Sequence, residues 1–273
     1  KDVYMLDHHH PEAYNQKTVN YNRDIEAFPL LKRIIEKITG ETSFYNSPTD
    51  MGVNRAGFGI VNDETVQEAA HQEIIRRYFR CITEYALGLI EADLVNRSEM
   101  IMDNVGAKVE DRKTVTAARE AAQQSETTKN GYNGIFVGAA IELRDGTIIT
   151  GKNSPILHAT ASLILNASKH LAGLPDNLHL LPRSIMNSLS YLKKDVLGGK
   201  DVSLDAEETL IALSISATSN PAAQMALEKM KEFEGCEVHL THIPSPGDEA
   251  GLRKLGVHLT CDPDFSSKRL FIS

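Results

Sequence analysis

The sequence predicts a mainly helical region over residues 1–130 followed by a layered α/β region over residues 131–273. Three observations carry this. Asn133 to Leu171 reads as strand, tight turn, strand, loop and helix. After it, helix-like and strand-like stretches alternate to Cys261, which is the signature of layers. Before it, apolar residues recur at helical spacing over long stretches, with no comparable strand pair.

The 133–171 stretch is the organising element. Val137, Ala139, Ile141 and Leu143 alternate as one face of a strand requires. Asp145-Gly146 signals a two-residue hairpin turn. Thr147 to Thr150 is β-branched throughout and suits the second strand, and Gly151-Lys152-Asn153-Ser154-Pro155 is expected to break it. Leu157 to Leu171 then carries the apolar spacing of a helix. A helix that starts where a hairpin ends presents unpaired N–H groups at the sheet edge, a favourable place for a ligand.

At 273 residues the chain has room for one large or two medium domains. Hydrophobic content of 41% and charged content of 24% fit a globular protein. No apolar run is long enough to span a bilayer, so a membrane role is not expected. A net charge of −8 argues against a nucleic-acid surface, which needs a basic stripe. Cys81, Cys236 and Cys261 lack metal spacing, and reduced thiols in the cytoplasm are the plain expectation.

In chain order, the opening residues alternate as a strand would. His8-His9-His10 is flanked by Asp7 and Glu12, but adjacent residues point in different directions, so a polar loop is expected there and no metal site. Ile25, Phe28, Leu31, Ile34, Ile35 and Ile38 share a helix face ended by Gly40. Phe44 to Ile60 is a long irregular stretch. Gly52, Gly57 and Gly59 allow close backbone approach, with Asp50, Asn54 and Arg55 carried between them. It suits an anion-holding loop with Arg55 as the fork donor, or an Ω-type loop packed on its own aromatic residues.

One long helix is expected from Glu64 to about Leu94, whose basic edge of Arg76, Arg77 and Arg80 reads as a solvated face with Glu73 and Glu84 as intrahelical partners, and another helix is expected over Glu110 to Ser125. The polar, Gly-bearing Thr127 to Gly134 marks the boundary between regions. Beyond it, helices are expected over Ser184–Leu197, Pro221–Phe233 and Asp248–Leu255, and strands over Cys236–His242 and Val257–Cys261. Asp205 to Ala217 reads both ways: Asp-Ala-Glu-Glu opens a helix, while Leu213, Ile215 and Ala217 alternate.

Two motif matches bear on chemistry. Gly146-x4-Gly151-Lys152-Asn153 is one residue short of a phosphate-binding P-loop, and its middle reads as a strand, so it is rejected. The order VGAAIEL, DGTIITG, HAT, NPAAQM, CEVHLTH resembles the cytidine deaminase fold. In that fold a hairpin leads to a helix opening H-A-E, and a later helix opens P-C-x-x-C. The resemblance implies a three-layer α/β/α subdomain with His158 as the retained ligand position. Thr160 stands where the proton-shuttling Glu would be, and Ala222 and Met225 where the thiolates would be. Catalytic zinc and deaminase chemistry are therefore not expected.

At a wider scale NYNRDIEAFPLLKRIIEKITG, SPTDMGVNRAGFGI, QEIIRRYFR, the GAAIEL to LHA segment and EETLIALSISATSNPAAQ resemble consecutive blocks of an uncharacterised bacterial family, domain of unknown function family 1846. The resemblance covers nearly the whole chain. It implies a longer native protein in which this chain is the C-terminal half, with the N-terminal half as its partner. Some members have been labelled ATP-dependent peptidases, but no HExxH and no P-loop in context supports that here.

Three functions remain open. One is an enzyme acting on a small anionic metabolite, phosphorylated or nucleotide-like, in a pocket between the 50–59 and 151–160 loops. In it Arg55, Asn54, Gly57, Gly59, Lys152, Asn153 and Ser154 contact the ligand, and His158 and Asp50 move protons. Another is a non-catalytic binding or regulatory module on a degenerate deaminase scaffold. The third is a structural half that assembles, for which a homo-oligomer is one form. No cofactor is named by the sequence.

Overall fold

The computed structural model describes residues 63–129, 131, 132 and 134–266. The expected 25–38 helix, the His8-His9-His10 run and the loop bearing Asp50, Asn54, Arg55, Gly57 and Gly59 lie outside these residues. The chain divides into two compact units, Lys1–Asp111 and Arg112–Ser273. This division falls ahead of the Gly-bearing stretch at 127–134 where the sequence places it.

In the first unit, α1 (Asp63–Ala86) and α2 (Ala92–Val105) pack against each other. The sequence predicts one helix to Leu94, and the structure corrects this. Gly88 takes a left-handed φ of 71°, and Leu89 N bonds back to the carbonyl of Glu84. That is a glycine-mediated helix stop. The apolar run Leu87, Leu89, Ile90 crosses the break, which is why periodicity alone conceals it. Arg76 pairs with Glu73 at 2.6 Å, as helical spacing requires.

The second unit is built on a four-stranded mixed sheet in the order β2-β1-β3-β4. Its strands are β1 (Gly138–Glu142), β2 (Ile148–Lys152), β3 (Glu237–Leu240) and β4 (His258–Cys261). β1 is antiparallel to β2 and to β3, and β3 runs parallel to β4. The helices are α3 (Lys113–Thr127), α4 (Ala159–Leu171), α5 (Arg183–Tyr191), α6 (Ala206–Ala217), α7 (Pro221–Lys229) and α8 (Pro246–Lys254). α5 runs on into a π-helical turn over Leu192–Val196. The ambiguous 205–217 segment is helix. Asp205 and Glu208 form a reciprocal capping box at its start, and a strand offers no equivalent satisfaction of those N–H groups.

Two details of the hairpin differ from expectation. The turn has three residues: Leu143 N bonds Thr147 O, Gly146 N bonds Leu143 O, and only Gly146 (φ 83°) is left-handed. This is the type I turn with a following left-handed glycine. β2 also continues through Gly151-Lys152 rather than breaking there, pairing Lys152 with Gly138.

Two glycines set the layers. A Cβ on Gly138 would lie 2.2 Å from Ala118 O of α3, and one on Gly151 would lie 2.3 Å from Leu163 N of α4. Gly138 pairs with Lys152 and Ala139 with Gly151, so the two glycines face opposite sides of the sheet. α3 therefore covers one face and α4 the other, giving three layers. α3, which the sequence assigns to the helical region, is a layer of the sheet unit. Ile141, Leu163, Ile164, Leu213, Val238 and Leu240 are buried in its core.

Candidate functional site

His158 is the N-cap of α4 and caps nothing with its side chain. Its imidazole instead reaches α8. Nδ1 lies 2.7 Å from Oδ2 of Asp248, whose side chain is 1% exposed. Asp248 is held from three sides. Ser245 Oγ donates to Oδ2 at 2.8 Å, Ala206 N donates to Oδ1 at 2.9 Å, and Asp248 N bonds Ser245 Oγ. Ser245 caps α8 and Ala206 opens α6, so three helix N-termini converge on one carboxylate, which their dipoles favour. Glycine makes this possible: a Cβ on Gly251 would lie 2.7 Å from Cβ of Ala206, and one on Gly247 would lie 2.1 Å from the Asp205 carboxylate.

The other imidazole nitrogen, Nε2, faces Asp201 Oδ2 at 3.7 Å, and the His158 side chain is 26% exposed. Burial opposes charging the ring, but the carboxylates of Asp201 and Asp248 outweigh it and raise the pKa to about 10. Burial would raise the Asp248 carboxyl, yet its bonds to His158, Ser245 and Ala206 hold it below the usual range. Asp201 is held low chiefly by His158. At neutral pH the group is a carboxylate, an imidazolium and a second carboxylate in a row. His242 stands within electrostatic reach of both His158 and Asp248. Burial drives its pKa down to about 4, and its buried Nδ1 has no hydrogen-bond partner among the described residues.

A cavity of about 380 Å³ lies beside α4. Ser162, Leu165, Asn166 and Lys169 form one stripe of that helix along it, and His158 is one turn before Ser162. Thr150 and Lys152 contribute from β2, and Leu180 and Met186 from the following segment.

The residues expected to contact a ligand in the 151–158 loop have distinct fates. Lys152 lines the cavity, with Nζ on Gln124 Oε1 at 3.1 Å. The Asn153 amide is committed to backbone: Oδ1 accepts from Val137 N and Nδ2 donates to Ile135 O. Ser154 Oγ accepts from Leu157 N, shaping the turn. Asp50, Asn54, Arg55, Gly57 and Gly59 lie outside the described residues. Sequence reasoning did not reach Asp248, Asp201 or Lys169. Ser245-x-x-Asp248 is a legible capping signal, but nothing in it announces His158 as a partner.

The zinc set of a deaminase does not fit these residues. His158 bonds Asp248 of α8 and no residue of α7, where Ala222 lacks a donor atom and Met225 is half-exposed. Among the described residues no group of three or more His, Cys, Asp or Glu side chains could hold a metal ion. Among them, too, no helix is long and apolar enough to cross a membrane.

Fold and site together define a mixed α/β protein with an oriented Asp–His pair beside a cavity. Residues 1–106 match the family model described as domain of unknown function DUF1846, N-terminal, and residues 110–271 match the C-terminal model of the same family. The chain belongs to this family. It is 50% identical over 271 residues to a "UPF0371 protein" of Clostridium tetani (strain Massachusetts / E88), covering 99% of this chain and 54% of the relative. A "UPF0371 protein" of Clostridium botulinum (strain Langeland / NCTC 10281 / Type F) is 51% identical over the same shares. The chain thus spans about half the length of the curated relatives it matches. The two family models meet between residues 106 and 110, close to the division after Asp111.

Proposed function

We propose that this chain is part of a cytoplasmic enzyme acting on a small anionic metabolite, with His158 as the proton-transferring group. The observation that carries it is the His158 Nδ1 to Asp248 Oδ2 bond of 2.7 Å, made to a fully buried carboxylate. A buried carboxylate on Nδ1 fixes the ring's orientation and leaves Nε2 as the working atom. With its pKa near 10 the ring is an imidazolium at neutral pH. Nε2–H is then a cation that attracts an anion and a proton donor to charge developing on it. Asp248 stabilises the imidazolium without itself taking the proton. The order of hairpin and His158-headed helix supports a scaffold of the deaminase kind without its zinc chemistry. The three buried, unbridged thiols suit a reducing compartment.

The test is turnover of a panel of small phosphorylated and carboxylated metabolites, followed by NMR, in the purified protein and in His158→Gln. The proposal expects a substrate whose turnover falls at least a hundred-fold in the variant, within the range of general acid catalysis. Turnover that His158→Gln leaves intact sinks it. One observation favours a second reading. Asp201 already faces Nε2, so the trio is also a complete ion-pair knot tying α4 to α8, as a binding or regulatory module would need. On that reading Asp248→Asn lowers stability and the panel shows binding without conversion.

A further inference from the structure

Lys169 is at odds with its surroundings. The residue is 8% exposed, on α4, and lines the cavity beside that helix. Its Nζ donates to the carbonyl of Asp176 at 2.6 Å, which uses one of three donors. It has no carboxylate partner among the described residues. A buried ammonium without a counter-charge is costly, and chains place one only where something compensates it. Apolar side chains face the same space: Leu165 from the same stripe of α4, and Leu180 and Met186 from the following segment. Lys152 sits on the rim, its ammonium bonded only to the neutral amide of Gln124.

We propose that this cavity is a binding site for an organic anion with a short apolar body, whose anionic group pairs with Lys169 and whose body lies on Leu165, Leu180 and Met186. A volume of about 380 Å³ is at the small end for ligand sites, so the ligand is of metabolite size. Lysine offers a point charge and no planar fork, so a carboxylate and a phosphate satisfy it alike. Asn166 Nδ2 is already bonded to Thr150 O, which leaves its Oδ1 as the polar acceptor beside Lys169. The proposal goes beyond the enzyme reading by naming a substrate class and a place for it: the cavity starts at Ser162, one helical turn from His158, and Lys169 lies about three turns from it. It rests on that reading only for calling the anion a substrate. A structural account competes with it: Lys169 could serve only to fasten the 172–178 turn through Asp176.

The experiment is calorimetric titration of the purified protein with hexanoate, hexyl phosphate and hexan-1-ol, in wild type, Lys169→Met and Lys169→Arg. One or both anions are expected to bind at least ten-fold more tightly than the alcohol. Lys169→Met should erase that preference, and Lys169→Arg should retain it within a few-fold. Which anion binds more tightly identifies the headgroup. If Lys169→Met does not fold, methyl NMR of wild-type Met186 and Leu180 gives the answer, because hexanoate must shift both. The site is overturned if the alcohol binds as tightly as the anions, if Lys169→Met binds like wild type, or if neither methyl signal moves. Hexanoate bound through Lys169 with no turnover anywhere in the metabolite panel sinks the enzyme reading and leaves this site standing. Turnover lost in His158→Gln with no anion bound here does the reverse.

Discussion

The second unit holds two histidine–carboxylate clusters, one on each side of the sheet, and they behave in opposite ways. On the α3 side, His239 Nδ1 meets Thr260 Oγ1 at 2.9 Å, and Nε2 lies 3.4 Å from Asp262. Arg119 grips Asp262 with two bonds. The fully buried Arg112 bonds Glu237, Thr260 and the carbonyls of Val238 and His258. On the α4 side, His158 has Asp248 on one nitrogen and Asp201 beyond the other. Burial lowers the His239 pKa, and Arg112 and Arg119 reinforce that against Asp262. His158 is raised to about 10, because two carboxylates face it and no guanidinium competes. A carboxylate beside a histidine therefore does not charge it; the balance of burial and neighbouring cations decides. In the α3 cluster the histidine is fully buried and the Arg119 end reaches the surface, so the cluster reads as a structural tie between strands and helix. In the α4 cluster the histidine itself is part-exposed, so this is the imidazole of the two that a ligand can meet.

The sharpest break of this contrast is Arg112→Met. It strips the donors from Glu237, Thr260 and two carbonyls at once, and should cost about 3–5 kcal/mol, the usual loss on breaking a buried pair. Urea unfolding would measure it, and a loss below about 1 kcal/mol would mean that the α3 cluster is not a structural tie. Asp248→Asn should cost less, about 1.5–3 kcal/mol, as for lost hydrogen bonds to a charged group. It should also lower the His158 pKa, seen by NMR titration of the ring.

The layers themselves predict a matched pair. Gly138→Ala and Gly151→Ala each drive a Cβ into the backbone of the helix opposite, within 2.2 and 2.3 Å. Each should destabilise by about 1–3 kcal/mol through overpacking. If only one does, the two helices do not hold the sheet equally closely.

The histidines shape stability against pH in opposite senses. The folded pKa of His158 lies above its unfolded value of about 6.5, so the native state binds more protons between the two. Its stabilisation is fully present below about pH 6.5 and is lost as pH rises toward 10. His242 is the reverse, with a folded pKa near 4. Below about pH 6.5 the unfolded chain takes up a proton that the folded chain refuses, and stability falls toward pH 4. Melting temperature should therefore peak near pH 6.5. His158→Gln should flatten the alkaline limb and leave the acid limb. An alkaline limb that survives this change would assign it to other groups.

Asp201→Asn should have the smallest effect. Asp201 is more than half exposed, and an exposed pair is worth no more than about 1 kcal/mol. Unfolding should barely register it, while the NMR titration of His158 should move toward the ordinary imidazole range. An unchanged titration would mean that Asp248 alone charges the ring.

The sequence by itself determined the elements whose signals are local. The β-branched run before Gly151, the glycine after Asp145 and Pro221 at the start of its helix all act within a few residues. Their geometry follows from backbone sterics and short hydrogen bonds. At 205–217, by contrast, local pattern left helix and strand open, and the Asp205–Glu208 capping box came only with the structure. Tertiary structure alone decided that α3 is a layer of the sheet. An amphipathic stripe states that it will be buried, but not against what. Tertiary structure also decided that His158 meets Asp248, 90 residues away, and that Arg112 reaches Glu237, 125 residues away. It decided that Lys169, which as sequence is one more basic residue in a last helical turn, is a buried ammonium beside a cavity. Burial and long-range charge set these environments, and both depend on how the layers stack, which no local pattern records.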